Sequence, residues 1–549
     1  MKNIYNFINF IIIILMISVE GKSQEIFGGN VHGSFQMDAQ YYNEDTLIGA
    51  TKPDEKMAAN SFLNVIYTNK DFEAGIRYEA FTPAIMGFDQ RYNGSGIAYR
   101  YAKYSQDHFE ITAGNFYEQF GSGMILRAYQ EWNLGFDNSL DGIRIKALFP
   151  GIRITGLVGK QRIFWGKGDG TVRGIDAEFQ LNDMLACMKE MKTRYILGAN
   201  FVSRYQKDLD PIYKLPANVG AYSGRIAVFH GNYNFNAEAA YKINDPNSSN
   251  NMIYKPGNAV LLSLGYSKKG IGFTLQAKRV DNMDFRSDRN ATGFNLPIGY
   301  IPAMSTQHAY SLPAYYPSAS QANGEMGLQA NFVYTFKKNG KIGGKEGMGL
   351  SMNYSVSQSI NKSQINDTIP IGLSGTDGYK SSFFDIGNEK YYHDFNVKIS
   401  KKINKKWMIE FSYVNIFYNV EINEGHKEPN ILAQSGVVDL WWKFKPYNSL
   451  HFDQEAMFTA GKGDGNWELS MLEYSHKSYF AAIIDLYNYG NPVDYLRLHY
   501  LSFSSGYTWN TSRLSITVGK QNSGIICIGG VCRQVPATNG ISLSLSSSF

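Results

Sequence analysis

The sequence predicts an all-β chain that forms a single large antiparallel transmembrane β-barrel of about 24 strands (22–26), both termini on the periplasmic side. Three observations carry this prediction. An export leader is followed by no helical anchor, segments of about 8–15 residues alternate apolar with polar, and the connections between them alternate short with long.

The leader comes first. Lys2 precedes the apolar stretch Phe7 to Ile17, and small residues stand at Gly21 and Ser23, the pattern of a secretory signal peptide over 1–23 cut after Ser23. No cysteine follows it to take a lipid anchor. Beyond it the chain has no apolar run of the about 18 residues that a spanning helix needs. Removing Lys2, Lys22 and Glu20 leaves 51 of the 53 bases and 47 of the 48 acids, a balance of +4. That is too mild for a nucleic-acid partner. Aromatics at 14%, with 38 Tyr, 54 Gly and only 16 Pro, favour strands closed by glycine turns. A mean hydropathy of −0.29 fits a barrel, which shows lipid only every second residue.

The strands come next. Phe72, Ala74, Ile76, Tyr78 and Ala80 alternate with Glu73, Gly75, Arg77 and Glu79. Tyr233, Phe235, Ala237, Ala239 and Tyr241 alternate with Asn234, Asn236 and Glu238, and Ile143, Ile145 and Ala147 with Arg144 and Lys146. The apolar set is expected to face lipid and the polar set the lumen. Short connections such as 69–71, 105–107, 149–151 and 509–512, with longer ones at 181–191, 337–346 and 401–406, read as periplasmic turns. Mostly long ones at 42–58, 82–93, 116–141, 161–170, 205–219, 243–257, 281–322, 358–389, 418–434, 461–464, 489–494 and 522–539 read as external loops. Met124 to Gln130 looks like another strand but breaks the parity of the count, so it joins the 116–141 loop. The barrel thus occupies 24–549 as one domain, with 116–141, 281–322 and 358–389 as its long external loops. A large soluble β-sandwich or β-solenoid is the competing fold.

The last strand closes the series. Ile541, Leu543, Leu545 and Phe549 share one side and small hydroxyls the other, so Phe549 is expected at an aromatic membrane girdle and this strand beside Gly28 to Tyr41.

Two blocks stand apart from the alternation. The first is Gly114-Asn115-Phe116-Tyr117-Glu118-Gln119-Phe120-Gly121-Ser122-Gly123, followed by Leu126-Arg127 and Asp137-Asn138-Ser139-Leu140-Asp141-Gly142. The second is Cys527-Ile528-Gly529-Gly530-Val531-Cys532-Arg533 with Val535-Pro536-Ala537. In these blocks the chain resembles an uncharacterised Bacteroidota outer-membrane family, domain of unknown function 6029, over nearly its whole length. The resemblance implies fold and location and transfers no activity or site residue.

Physically, the 116–141 segment carries Glu118, Arg127, Glu131, Asp137 and Asp141 beside aromatics. Folded into the lumen it would pair those charges with the wall and form a constriction; otherwise it packs outside on its neighbours. Cys527 and Cys532 flank a Gly-Gly corner that places them opposite each other, which allows a disulfide stapling an external loop, against free thiols or a poor two-ligand metal site. Cys187 is left over beside a short amphipathic helix at 181–191. Gly-Lys-Gly-Asp-Gly recurs at 166–170 and 461–465 as external turn chemistry, with too few oxygens for calcium. Lysines at 268/269, 337–345 and 401–406 would meet solvent, anionic lipid or an acidic partner. The prolines and tyrosines of 281–322 suit either recognition of a ligand or a plain lid.

The functions that follow are weighed by what is missing. There is no HExxH, no GxSxG elbow and no phosphate-cradling loop, so the chain reads as no enzyme, without cofactor or metal. So little chain lies between the expected cleavage and the first strand that neither a plug domain nor an energy-coupling partner is expected. The leading expectation is a channel or passive transport protein in the outer membrane of a Gram-negative bacterium. Its partners would be outer-membrane lipid and periplasmic or surface proteins. The alternative is a non-conducting scaffold or binding component of an outer-membrane secretion or surface complex.

Overall fold

Alternation makes each strand two-faced, and a sheet of such strands is stable only when both faces and both edges are satisfied. The computed structural model, which describes residues 24–461, 465–528 and 531–549, meets this by closure. The expected leader, Lys462-Gly463-Asp464 of the second pentapeptide and the Gly529-Gly530 corner lie outside the described residues. Twenty-four antiparallel strands form one closed barrel. Gly29–Asn43 pairs with Met57–Asn69 on one side and Thr538–Ser548 on the other, with Met37 opposite Leu545 and Tyr41 opposite Ile541. Among the described residues no helix is long and apolar enough to cross a membrane.

Outward positions are apolar, and along much of the sheet they are exposed. Ile76, Ile143, Tyr233, Phe411 and Phe503 are all 39% exposed or more, whereas Arg77, Glu79 and Glu238 on the other face are buried. Near the rim of short turns the outward face carries paired rings, Tyr233 with Tyr266 (4.9 Å), Trp407 with Trp442 (5.0 Å) and Tyr479 with Tyr507 (4.3 Å). Phe549 lies at the same rim, its backbone exchanging hydrogen bonds with Gly33 at 2.9 and 3.0 Å.

Several short connections are two-residue turns, as at Lys70-Asp71 and Asn510-Thr511. Lys70 (φ 50°) and Asn510 (φ 46°) take the left-handed conformation that lets a hairpin follow the twist of its strands. The 181–191 connection holds one helical turn, Leu181–Met184, and a 3-10 turn, Ala186–Met188, with Cys187 exposed.

One expected long loop is corrected. Residues 161–170 are strand, because Ile152–Ile163 and Gly166–Gln180 meet at the tight turn Phe164-Trp165. The first pentapeptide therefore belongs to the ladder and is not turn chemistry. Gly170 is needed there for a different reason: a Cβ on it would lie 1.7 Å from the carbonyl oxygen of Ser287, where another segment crosses the wall.

Two other loops differ from a purely external placement, one of which, 116–141, had an inward alternative open. Residues 117–139 and 282–324 turn into the lumen instead of standing outside, since their apolar side chains find partners only there. Phe120, Met124, Ile125 and Ile298 are buried with the inward wall residues Leu157, Val172, Val202, Val219 and Val280 in one cluster. Residues 361–385 stay at the rim, joined to 243–256 through Tyr254 N to Thr376 O (2.8 Å) and Gly375 N to Met252 O (3.1 Å).

Candidate functional site

Chemistry-bearing side chains from distant strands converge in the lumen, and two inward segments divide it. The first strap, 117–139, is shaped locally by Gln130–Glu131 pairing with Phe136–Asp137 around a 3-10 turn that ends on Gly135 in the left-handed conformation. This aims Asp137 at the wall. Arg162 donates to Asp137 (2.7 Å) and to Glu79 (2.6 Å), Arg77 donates to Glu79 (2.7 Å), and Arg77 also meets Asp137. No side chain of the four is more than 7% exposed. Two cations and two anions leave the quartet neutral. Burial alone would raise the Asp137 carboxyl, but Arg77 and Arg162 outweigh it and hold it below the ordinary carboxylate range. Nearer the start of the strap, Glu118 accepts from Arg144 (3.2 Å) and Lys146 (2.9 Å), and Arg144 also reaches Glu110 (2.8 Å).

The five residues singled out for a constriction thus separate. Glu118 and Asp137 tie the strap to the wall. Asp141 lies beyond it, on the strand Leu140–Phe149, and meets Lys167 at 2.5 Å. Arg127 is stacked between the rings of Tyr129 (4.3 Å) and Tyr300 (4.0 Å), and Glu131 accepts from Asn133 N at the head of the 3-10 turn. Arg77, Glu79 and Arg162, which complete the quartet, were not singled out as site residues. Their signal was a charge at an inward-parity position, plain for Arg77 and Glu79 and hidden for Arg162 by the mistaken loop.

The second strap, 282–324, starts on the same wall and crosses. The carbonyl of Pro297 accepts from Asn138 (3.0 Å) in the first strap and from Gln161 (2.6 Å) in the wall, locking the three together. Farther on, His308 meets Asp394 (2.9 Å), and Tyr310 donates to Glu410 (2.7 Å) and Asp439 (3.0 Å). The backbone amides of Ser311 and Leu312 donate to Glu455 at 3.1 and 2.7 Å. Those carboxylates face inward, since Phe411, Val438 and Phe452 beside them are the exposed outward residues. Tyr315 against Trp467 (5.5 Å) and Tyr316 against Tyr418 (5.4 Å) complete the docking. Burial first, and then the two carboxylates, push the Tyr310 phenol far above its ordinary value, so it stays a donor.

A third sector carries neither strap charges nor a large apolar face. Along His499–Trp509, Ser512–Gln521, Thr538–Ser548 and Gly29–Asn43 the inward positions include Ser502, Ser504, Ser515, Thr517, Ser542, Ser544, Gln36 and Gln40, all half-buried. Thr517 donates to Ser504 (3.0 Å) and Gln40 to Ser542 (3.2 Å) along the wall. Asp38 and Arg513 contribute the charges. Toward the rim of long loops this sector opens into a cavity of about 320 Å³ whose lining includes Gln40, Ser502, Thr517 and Ser542.

That rim is capped by the hairpin Gly524–Ile528 with Val531–Val535, in which Cys527 and Cys532 face each other in register and are joined by a disulfide. Among the described residues no group of three or more His, Cys, Asp or Glu is placed to hold a metal ion.

The model of a family of unknown function, DUF6029, matches residues 1–549. No curated protein matches the chain. Among solved structures it is similar to the P pilus usher (PapC) translocation pore, at 9% identity over 94% of this chain and 98% of that one, with a TM-score of 0.45. It is also similar to the siderophore receptor PirA from Pseudomonas aeruginosa (10% identity, 94% and 80% covered, TM-score 0.38). A third likeness is to OccD3 (OpdP) from Pseudomonas aeruginosa (11% identity, 83% and 93% covered, TM-score 0.36).

Proposed function

We propose that this chain, which belongs to the family of unknown function DUF6029, is an outer-membrane barrel that passes small polar solutes passively along the hydroxyl-lined sector of its lumen. One observation carries the reading: the straps dock on the charged and apolar walls and leave Ser502, Thr517, Ser542 and their neighbours half-buried. Hydroxyls and amides replace hydration without selecting strongly for either sign of charge. The closed sheet with its exposed apolar outer face supports insertion in a bilayer, reached through the export leader at 1–23, in a Gram-negative outer membrane.

The test is planar-bilayer reconstitution of the purified protein beside a variant lacking residues 122–135, which include Met124, Ile125 and Leu126 of the buried cluster. The intact chain should conduct weakly for its circumference and the deletion should raise single-channel conductance several-fold. Equal conductance in the two would sink the strap as a constriction.

The paired quartet and the packed straps favour a second reading, a closed barrel serving as scaffold or binding component of a surface complex. Persistent absence of conductance in the intact chain, with partners co-purifying, would select it.

A further inference from the structure

Arg533 is the charge that the capping hairpin leaves uncompensated. It follows the disulfide directly, and its guanidinium lies over the ring of Phe88, 4.0 Å from the centroid, which fixes its plane. Its Nε and Nη1 are buried and have no hydrogen-bond acceptor among the described residues. A buried guanidinium without a carboxylate is costly unless something else supplies the acceptor. Burial accordingly pushes Arg533 below its ordinary value, although an arginine remains protonated.

The same side chain lines a cavity of about 300 Å³ beneath the hairpin, together with Tyr92, Leu134, Phe136, Asn138 and Phe164. Other charges border this cavity, and each has its partner. Asp137 and Arg162 belong to the neutral quartet, and Asp89 pairs with Arg91 at 2.6 Å. What remains is one unpaired, planar, positively charged donor set above aromatic and aliphatic walls.

We infer that this cavity binds a small organic anion, its carboxylate taken by Arg533 and its apolar body by the walls of Leu134, Phe136 and Phe164. The site does not depend on whether the lumen conducts. An arginine serves because its fork matches a carboxylate with two parallel hydrogen bonds, and the stapled hairpin holds it over the cavity.

The experiment is calorimetric titration of the full-length protein in detergent with phenylacetate, its neutral counterpart phenylacetamide and inorganic phosphate, repeated on Arg533→Gln and Arg533→Lys. Phenylacetate should bind, phenylacetamide should not, and Arg533→Gln should weaken phenylacetate by about tenfold or more. Arg533→Lys, which keeps the charge and loses the fork, should fall between. Without ligand, Arg533→Gln should melt no lower than the parent, because it removes a buried cation that nothing pairs. Equal binding of the amide, undiminished binding by Arg533→Gln, absence of phenylacetate binding, or a lower melting point of ligand-free Arg533→Gln would each overturn the site. Phosphate binding more tightly than phenylacetate would overturn the apolar body of the ligand.

Discussion

The two sides of the lumen are built from the same strands and differ in what they offer a loop. The wall from Phe72–Phe81 round to Tyr479–Tyr487 presents valines, aromatics and carboxylates inward, and both straps lie on it. The sector from His499–Trp509 to Gly29–Asn43 presents mainly serines, threonines and glutamines, and meets the second strap at its margin, through Tyr500 and Asn522. A strap must recover the entropy of ordering its residues, and small hydroxyls give too little buried area and too few unique acceptors to do so. Where a strap docks and where the wall stays uncovered is thus decided by side-chain type at inward positions of an otherwise uniform sheet.

That contrast can be broken most severely at the quartet. Arg162→Ala leaves Glu79 and Asp137 short of a partner in a dry site and should destabilise the first strap by about 3–5 kcal/mol. The measurement is urea unfolding together with proteolysis within 117–139, and unchanged susceptibility would refute the ionic anchor. Smaller is Glu455→Ala, which takes the acceptor from two backbone amides of the second strap, about 1–3 kcal/mol. It should raise conductance noise and cleavage within 282–324 while leaving 117–139 protected.

On the open side, Thr517→Arg adds one charge to a neutral surface. It should leave stability within about 0.5 kcal/mol and shift reversal potentials toward anions. Unaltered selectivity would place the passage elsewhere. The smallest effect is that of pH on the first strap. Because the folded pKa of Asp137 is depressed, its contribution is complete above the unfolded carboxyl value of about 3.9 and is lost only as pH falls through the folded value. Protease resistance of 117–139 should therefore stay level from pH 7 to about 4 and fall only below that. A decline between pH 7 and 5 would show that this ion cluster does not hold the strap.

Much of this fold was legible because alternation and connection length are local properties. The inward parity of Arg77, Glu79 and Arg144 could be read residue by residue. Phe164-Trp165 could not, since two aromatic residues carry no turn signature and the glycines after them suggested a loop; the turn is held from outside the segment, by Trp165 donating to the carbonyl of Tyr92 at 2.7 Å. The direction of the long loops was equally hidden. Ile298 and Leu312 look like any loop residues until Val172 or Trp467 is brought beside them from far along the chain. Glu118 and Asp137 could be nominated from their charge alone, whereas Tyr310 needed two carboxylate-bearing strands to acquire a role. Arg533 had no signal beyond its place after a cysteine, because an unpaired charge is a property of surroundings.

The pairing of Met37 with Leu545 has a kinetic meaning. It belongs to the pairing of Gly29–Asn43 with Thr538–Ser548, the longest-range strand pairing in the ladder, and until that pairing forms two strand edges stay unpaired. Contacts so distant along the sequence form slowly, and an open edge invites pairing with another chain. The seam between Gly29–Asn43 and Thr538–Ser548 is therefore where an unclosed sheet would be most open to another chain, and the hydroxyl-lined sector straddles it.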